Sequence, residues 1–280
     1  MLVKRDMHLI IPTHNRQGRQ FTLREIPEKW LKKVILVCTH GEARAHAIIY
    51  KEVNVWEAPK EVKTIAQKRK WILEECHRRD MIKIMMLDDD LRFSRRKFTE
   101  LPNDKFTFQL LKAKPKDVDW AFRLVAKKLD EFAHVGIGPR QGNNGIKIHR
   151  RWNPNYRMIY CLGYRVDTVV RKCKLGRIEH REDMDITLQL LTKGYPNRVM
   201  VEVTADQQYN GVGGTRGERS YEKSNADAEL LASWFPKFIK VVERDYKQSV
   251  PRKEVIVAWK KAYEFGAERR ERASRDGKNR

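Results

Sequence analysis

Three carboxylates in a row, Asp88, Asp89 and Asp90, close the apolar run MIKIMMLDDD at residues 81–90. Adjacent carboxylates repel, and a fold tolerates such a cluster best where a cation neutralises it. Side chains alternate along a strand, so Asp88 and Asp90 fall on one side as a D-x-D pair. Oxygen ligands of this kind suit Mg²⁺ or Mn²⁺, which bridges one or two carboxylates to substrate phosphates. A solvated acidic turn would contain the same residues, so position decides how much the pair means. A second acidic group opens REDMDITLQLLTKGY at 181–195, where Glu182, Asp183 and Asp185 stand at the entrance of a helix. Acids there complement the helix dipole, and a carboxylate is also what an alcohol nucleophile needs as general base. The segment IHRRWNPNYR at 148–157 interleaves Arg150, Arg151 and Arg157 with Trp152 and Tyr156. Arginines meet phosphates and rings stack on bases; an exposed basic loop with one ring on the core is the plainer reading. The Gly-rich stretch at 211–217 lacks G-x-G-x-x-G spacing and reads as a flexible loop. Its Arg216, or Arg219 beyond it, can neutralise a diphosphate.

These groups need a scaffold, and the first ninety residues supply an alternating one. Strand-like runs at 7–13, 32–39, 53–59 and 81–90 are separated by helical stretches, the clearest at 62–76. Such alternation implies an α/β fold with a doubly wound, mainly parallel sheet, whose ligands bind beyond the carboxyl ends of the strands. Both PTHNR and DDD fall at such ends. Residues 92–116 lose periodicity, carry many basic groups, and read as an inserted basic loop. A helix follows at 117–133 with Asp117 as N-cap, then a short strand and a Gly/Asn loop within 134–145 and strands at 157–167 and 197–205, with a helix from about Met184 to Gly194 before the last. The expected organisation is a catalytic core over 1–205 and, over 206–280, a Gly-rich loop with a helical C-terminal extension. That extension is expected to hold helices at 221–245 and 251–272 and to end in a basic tail.

No stretch has the ~18 apolar residues of a membrane span, and the amino terminus runs into a strand without a signal-peptide core. Cys38, Cys76, Cys161 and Cys173 show no paired spacing and read as reduced, mostly buried thiols. The expectation is a cytoplasmic protein with no membrane partner. Lys and Arg number 59 against 37 Asp and Glu, a net charge of +22. A field of that sign attracts polyanions, nucleic acid first.

As an ordered set, the motifs resemble the family 2 glycosyltransferases of GT-A fold. IPTHNR resembles that family's first-strand nucleotide segment, KTIAQKRKWIL its nucleotide-contacting helix, LDDD its D-x-D, and EDMDITLQLLTKGY its acceptor-site helix; the likeness spans residues 8–203. The resemblance implies a nucleotide-sugar donor contacted by Pro12, Thr13, Arg16, Lys68, Asp88 and Asp89, with Arg216 over the diphosphate. It implies a divalent metal on Asp88 and Asp90, Asp90 the more direct ligand, and Asp183 as base beside Glu182. The family's later metal-ligating His has no counterpart, since no His follows His180; Asp206 or water would take its place. Core, size and charge together are similar to the phage-type, TET-associated DNA glycosyltransferases. That likeness implies a UDP-sugar donor and 5-hydroxymethylcytosine in double-stranded DNA as acceptor, with Arg150, Arg151, Trp152, Tyr156 and Arg157 on the DNA. The alternatives are a carbohydrate or lipid acceptor, a nucleotidyltransferase, and a nucleic-acid-binding protein with an inactive core.

Overall fold

The computed structural model describes residues 6–103, 106–140, 151–208, 221–245 and 251–276. Its organising unit is a ten-stranded sheet of order β3 (Asn54–Glu57), β2 (Val34–Cys38), β1 (Met7–Pro12), β4 (Lys83–Leu87), β9 (Cys161–Arg165), β7 (His134–Pro139), β10 (Asn197–Gln207), β5 (Leu91–Glu100) and β6 (Phe106–Lys112), with β8 (Trp152–Pro154) on the side of β10. The four runs expected as strands form β1 (Met7–Pro12), β2 (Val34–Cys38), β3 (Asn54–Glu57) and β4 (Lys83–Leu87). All four are parallel neighbours in register. Strands β2 and β4 are buried along their whole length, as strands covered on both faces must be. Beyond β4 the sheet turns mixed. β9 (Cys161–Arg165) runs antiparallel between β4 and β7 (His134–Pro139), and β10 (Asn197–Gln207) is parallel to β7.

Helices cover both faces. α1 (Phe21–Glu25), α2 (Glu28–Leu31) and α5 (Pro115–Lys128) lie on one, where Trp30, Phe93 and Phe122 meet edge to face. α4 (Ile65–Arg78), α6 (Val166–Lys172) and α7 (Glu182–Leu191) cover the other, around Ile72, Leu73, Tyr164 and Leu190. The short α3 (Ala43–Ile49) joins β2 to β3. α4 starts with a capping box, the Thr64 hydroxyl accepting from Gln67 N while the Gln67 side chain accepts from Thr64 N. Cys38, Cys76 and Cys161 are buried free thiols and Cys173 is half-buried. No helix among the described residues is long and apolar enough to cross a membrane.

Three sequence expectations need correction. The segment 92–116 is not a loop: β5 (Leu91–Glu100) and β6 (Phe106–Lys112) form an antiparallel ribbon on the β10 edge, and α5 begins at Pro115. Its alternation is masked because Arg96, not an apolar residue, points inward, 1% exposed, with its guanidinium donating to the carbonyls of Val201, Pro139 and Arg140. The N-cap of α5 is Lys114, whose N–H donates to Asp117 three residues on. The extension is also not two helices alone. α8 (Tyr221–Trp234) and α9 (Trp259–Asp276) flank a hairpin of β11 (Ile239–Arg244) and β12 (Arg252–Val257). Arg216, Arg150 and the Gly-rich stretch at 211–217 lie outside the described residues.

Candidate active site

The carboxyl ends of β1, β2 and β4 and the entrance of α7 meet on one side of the sheet. Thr13, just past β1, is buried and donates to Asp89 Oδ2 at 2.7 Å, while Gln20 Nε2 donates back to the Thr13 hydroxyl at 2.6 Å. Lys68 reaches from α4 across two strand ends, donating to Thr13 O at 2.7 Å and Thr39 Oγ1 at 2.8 Å. Arg16 is buried against the acids, 3.2 Å from Asp90 Oδ2 and 3.5 Å from Asp89 Oδ1. Pro12 ends β1 opposite Val37. The residues expected around a donor, from Pro12 to Asp90, therefore converge, Arg216 excepted as undescribed.

A cation absent from the sequence reasoning joins the two acidic groups. Arg69 donates through Nη2 to Asp88 Oδ1 at 2.6 Å and through Nη1 to Glu182 Oε1. Burial favours the neutral guanidine, yet Glu182, Asp88 and Asp183 outweigh it and hold Arg69 firmly charged. The mutual repulsion of Asp88, Asp89 and Asp90 is thus answered inside the protein, by Arg69 on one side and Arg16 on the other. Burial pushes the Asp89 carboxyl up to about 7, with Arg16 and the Thr13 hydroxyl pulling the other way. Glu182 is raised as well, burial first, against the opposing charge of Arg69.

Asp183 is 8% exposed and one residue along, its Oδ1 accepting from Met184 N at 2.8 Å. Tyr160, also unforeseen, caps the site: its carbonyl accepts from Asp88 N at 3.0 Å. Its phenol is pushed up by burial, then by Asp88, with Arg157 opposing and Asp206 and Asp183 adding to the rise. That places Tyr160 within electrostatic reach of the acids and of Arg157. No spacing rule selects Tyr160, because its place depends on how β9 enters the sheet.

For a divalent cation the donor set is small. Asp88 is the most accessible of the three acids, its side chain 18% exposed, with Gln207 Nε2 at 3.0 Å from Oδ2. Asp90 gives Oδ2 to Arg16, and Asp206 stands 3.4 Å from Arg140. Among the described residues no group of three or more His, Cys, Asp or Glu side chains is assembled as a metal cage. Two hard carboxylates at a strand end still fit the way Mg²⁺ and Mn²⁺ use one or two acids and complete their shell with phosphate oxygens.

The described part of the aromatic–basic segment, from Arg151 on, holds a short strand. Trp152 starts β8 (Trp152–Pro154), paired with β10, and its half-buried ring packs on the core. Arg151 binds Glu202 Oε2 at 3.0 Å and lies over the Trp120 ring. Tyr156 packs on the opposite cluster and its N–H donates to Asn197 Oδ1. A crevice of about 410 Å³ sits at the far, amino end of β1 and β4. Its charges answer one another, Lys83 with Asp130 and Asp119 with Lys29 and Arg123.

No curated protein matches this chain. Among solved structures it is similar to mannose-1-phosphate geranyltransferase from Thermus thermophilus, with a TM-score of 0.43 and 9% identity over 96% of this chain and 99% of that one. It is also similar to 4-diphosphocytidyl-2C-methyl-D-erythritolsynthase from Anaerococcus prevotii, with a TM-score of 0.43 and 13% identity over 80% of this chain and 97% of that one. The family model described as TET-Associated Glycosyltransferase matches residues 7–215, which hold every described site residue above. The chain is a glycosyltransferase and belongs to the TET-associated glycosyltransferase family.

Proposed function

We propose that the chain transfers a sugar from a UDP-sugar to the hydroxymethyl group of 5-hydroxymethylcytosine in double-stranded DNA. The observation that carries the transfer chemistry is Arg69, which ties Asp88 on the donor side to Glu182 on the acceptor side. Asp183 takes the acceptor hydroxyl proton, the oxygen lone pair attacks the anomeric carbon, and the bond from that carbon to the diphosphate oxygen breaks. Thr13, Arg16 and Lys68 line the nucleotide side, and Asp88 and Asp90 are the residues that would hold Mn²⁺ or Mg²⁺. When bound, that cation supplies Lewis-acid stabilisation of the departing diphosphate. The acceptor is supported by the net charge of +22 and by the basic, aromatic segment around Arg151, Trp152, Tyr156 and Arg157. A base within a duplex must be flipped out to reach the acids. In this reading residues 1–205 are the catalytic core and 206–280 an extension.

The test is incubation with radiolabelled UDP-sugars and Mn²⁺ on matched duplexes with cytosine or 5-hydroxymethylcytosine. Label confined to the hydroxymethylated duplex is expected. Label on neither duplex, with transfer to a simple sugar or lipid acceptor instead, would replace the DNA reading and spare the transferase.

A further inference from the structure

The family match ends at residue 215, yet α8, β11 and α9 beyond residue 220 each pack a buried side chain against α7. Leu231, Phe235, Ile239 and Ala262 form one buried cluster with Met184, Leu188 and Leu191 of that helix. At its far end α9 comes so close that a Cβ on Gly266 would stand 2.2 Å from Leu191 O. The tightest polar contacts fall on the loop just before the acids. His180 presents its backbone N–H and its ring Nδ1 to the same Asp227 oxygen of α8, at 2.8 and 2.9 Å. Arg181 donates to Ser224 O at 2.6 Å and to Lys253 O at 3.0 Å, and Glu179 pairs with Lys223.

Arg181 is also left-handed, at φ 67 and ψ 25, a conformation that strains any residue with a side chain. It is the N-cap of α7 and gives the helix no side-chain cap. The first turn therefore lacks the usual internal lock, and Asp183 uses one of its own oxygens on Met184 N. Beside Arg69 on Glu182 and Arg177 on Asp185, the turn is held by the guanidinium of Arg181 anchored on two carbonyls of the C-terminal unit, with Asp227 fixing the neighbouring residue.

We propose that the C-terminal unit is a clamp that orients the Glu182–Asp183 pair, with Arg181 and Asp227 as positioning residues. This rests on the reading of Asp183 as base. The clamp sets where the carboxylates point and leaves donor binding, on the other side of Arg69, untouched.

The experiment compares wild type with Arg181→Gly, Asp227→Ala, Asp227→Asn and, as control, Lys260→Ala on the outer face of α9. Glycine adopts the left-handed backbone without strain, so Arg181→Gly removes the anchors while sparing the turn. Expected for Arg181→Gly is a fall in kcat of about 10- to 100-fold with donor KM changed by less than about twofold, as for a small misplacement of a reacting group. Its thermal midpoint stays close to wild type, and amides 182–186 exchange faster with deuterium. Asp227→Asn keeps an acceptor oxygen and should recover part of the turnover lost in Asp227→Ala. Unchanged exchange at 182–186 in both Arg181→Gly and Asp227→Ala overturns the clamp, as does a loss of turnover that merely follows the unfolded fraction. The exchange measurement uses no substrate, so it decides the clamp even if wild type transfers nothing to hydroxymethylated DNA and the acceptor reading has failed.

Discussion

Glu182 and Asp183 are adjacent, but their surroundings separate them. Glu182 is bound by Arg69 and its carboxyl is raised by burial, whereas the Asp183 carboxylate accepts from the neutral Met184 N. Asp183→Asn should therefore lower turnover by ~10²–10⁴-fold with donor affinity nearly unchanged. A crippled Glu182→Gln beside an active Asp183→Asn would reverse the assignment. Asp89 leads to a pH prediction. Its folded value is raised to about 7 by burial, above the ~3.9 of an unfolded chain. Between those values the folded protein holds a proton that the unfolded chain releases. That stability is fully present at low pH and is lost as pH rises through about 7. Asp89→Asn should remove this slope and leave the ligand-free protein more stable at pH 8, by on the order of a few kcal/mol. Urea titrations at pH 5 and pH 8 would measure it, and an unaltered slope in the variant would count against the buried carboxyl. That the two acidic clusters come together was legible in the sequence, because one stands at a strand's carboxyl end and the other at a helix entrance. Arg69 was not, since QKRK offers three adjacent cations and only the rotation of α4 decides which one reaches both acids. Tyr160 was hidden for a similar reason, its place fixed by a left-handed turn at φ 63 before β9.

At the level of elements, apolar periodicity located β1, β2, β4, α4, α7 and β10, because each buries an apolar face. It failed where a charge is buried or a strand is half-exposed. RFSRRKF looks aperiodic since Arg96 takes an inward place, and β11 and β12 are mostly half-exposed or exposed without alternation, with Lys240 and Ile256 open to solvent. Helical readings won there by default. The closest packing between elements is equally invisible in the sequence. Gly266 lies inside α9, where alanine would ordinarily be favoured by about 1 kcal/mol. Here the added carbon would meet Leu191 O at 2.2 Å and Gly194 N at 2.4 Å, both backbone atoms. Gly266→Ala should thus destabilise, by about 1–3 kcal/mol, read as a lower denaturant midpoint. A midpoint that rises would mean α9 is not seated on the end of α7.

The charge of the whole molecule bears on its acceptor in a way no single residue does. Among the 59 Lys and Arg some are paired locally, as Arg95 and Arg151 both bind Glu202 and Arg177 binds Asp185, and the net charge of +22 already allows for every such pair. That net charge acts at a distance and should govern how duplex DNA is captured. If so, log K for duplex falls linearly with log salt, with a slope of about −0.9 for each phosphate neutralised. Replacing Arg150, Arg151 and Arg157 together should shallow that slope by up to about three such steps. The change should be smaller if Glu202 keeps Arg151 from the phosphates. UDP-sugar binding should hardly move, because Arg16, Lys68 and Arg69 on the donor side are untouched. Trp152→Ala tests a different force. Its ring packs half-buried at the start of β8, and if its open edge also stacks in the gap left by a flipped base, turnover on paired DNA should drop more than on single strands. Long-range charge and local stacking thus give separate signatures. Salt-insensitive transfer that runs as well on the free nucleoside as on the duplex would remove DNA as the acceptor. The acids, Arg69 and the sheet end that joins them would then be serving a smaller hydroxyl compound.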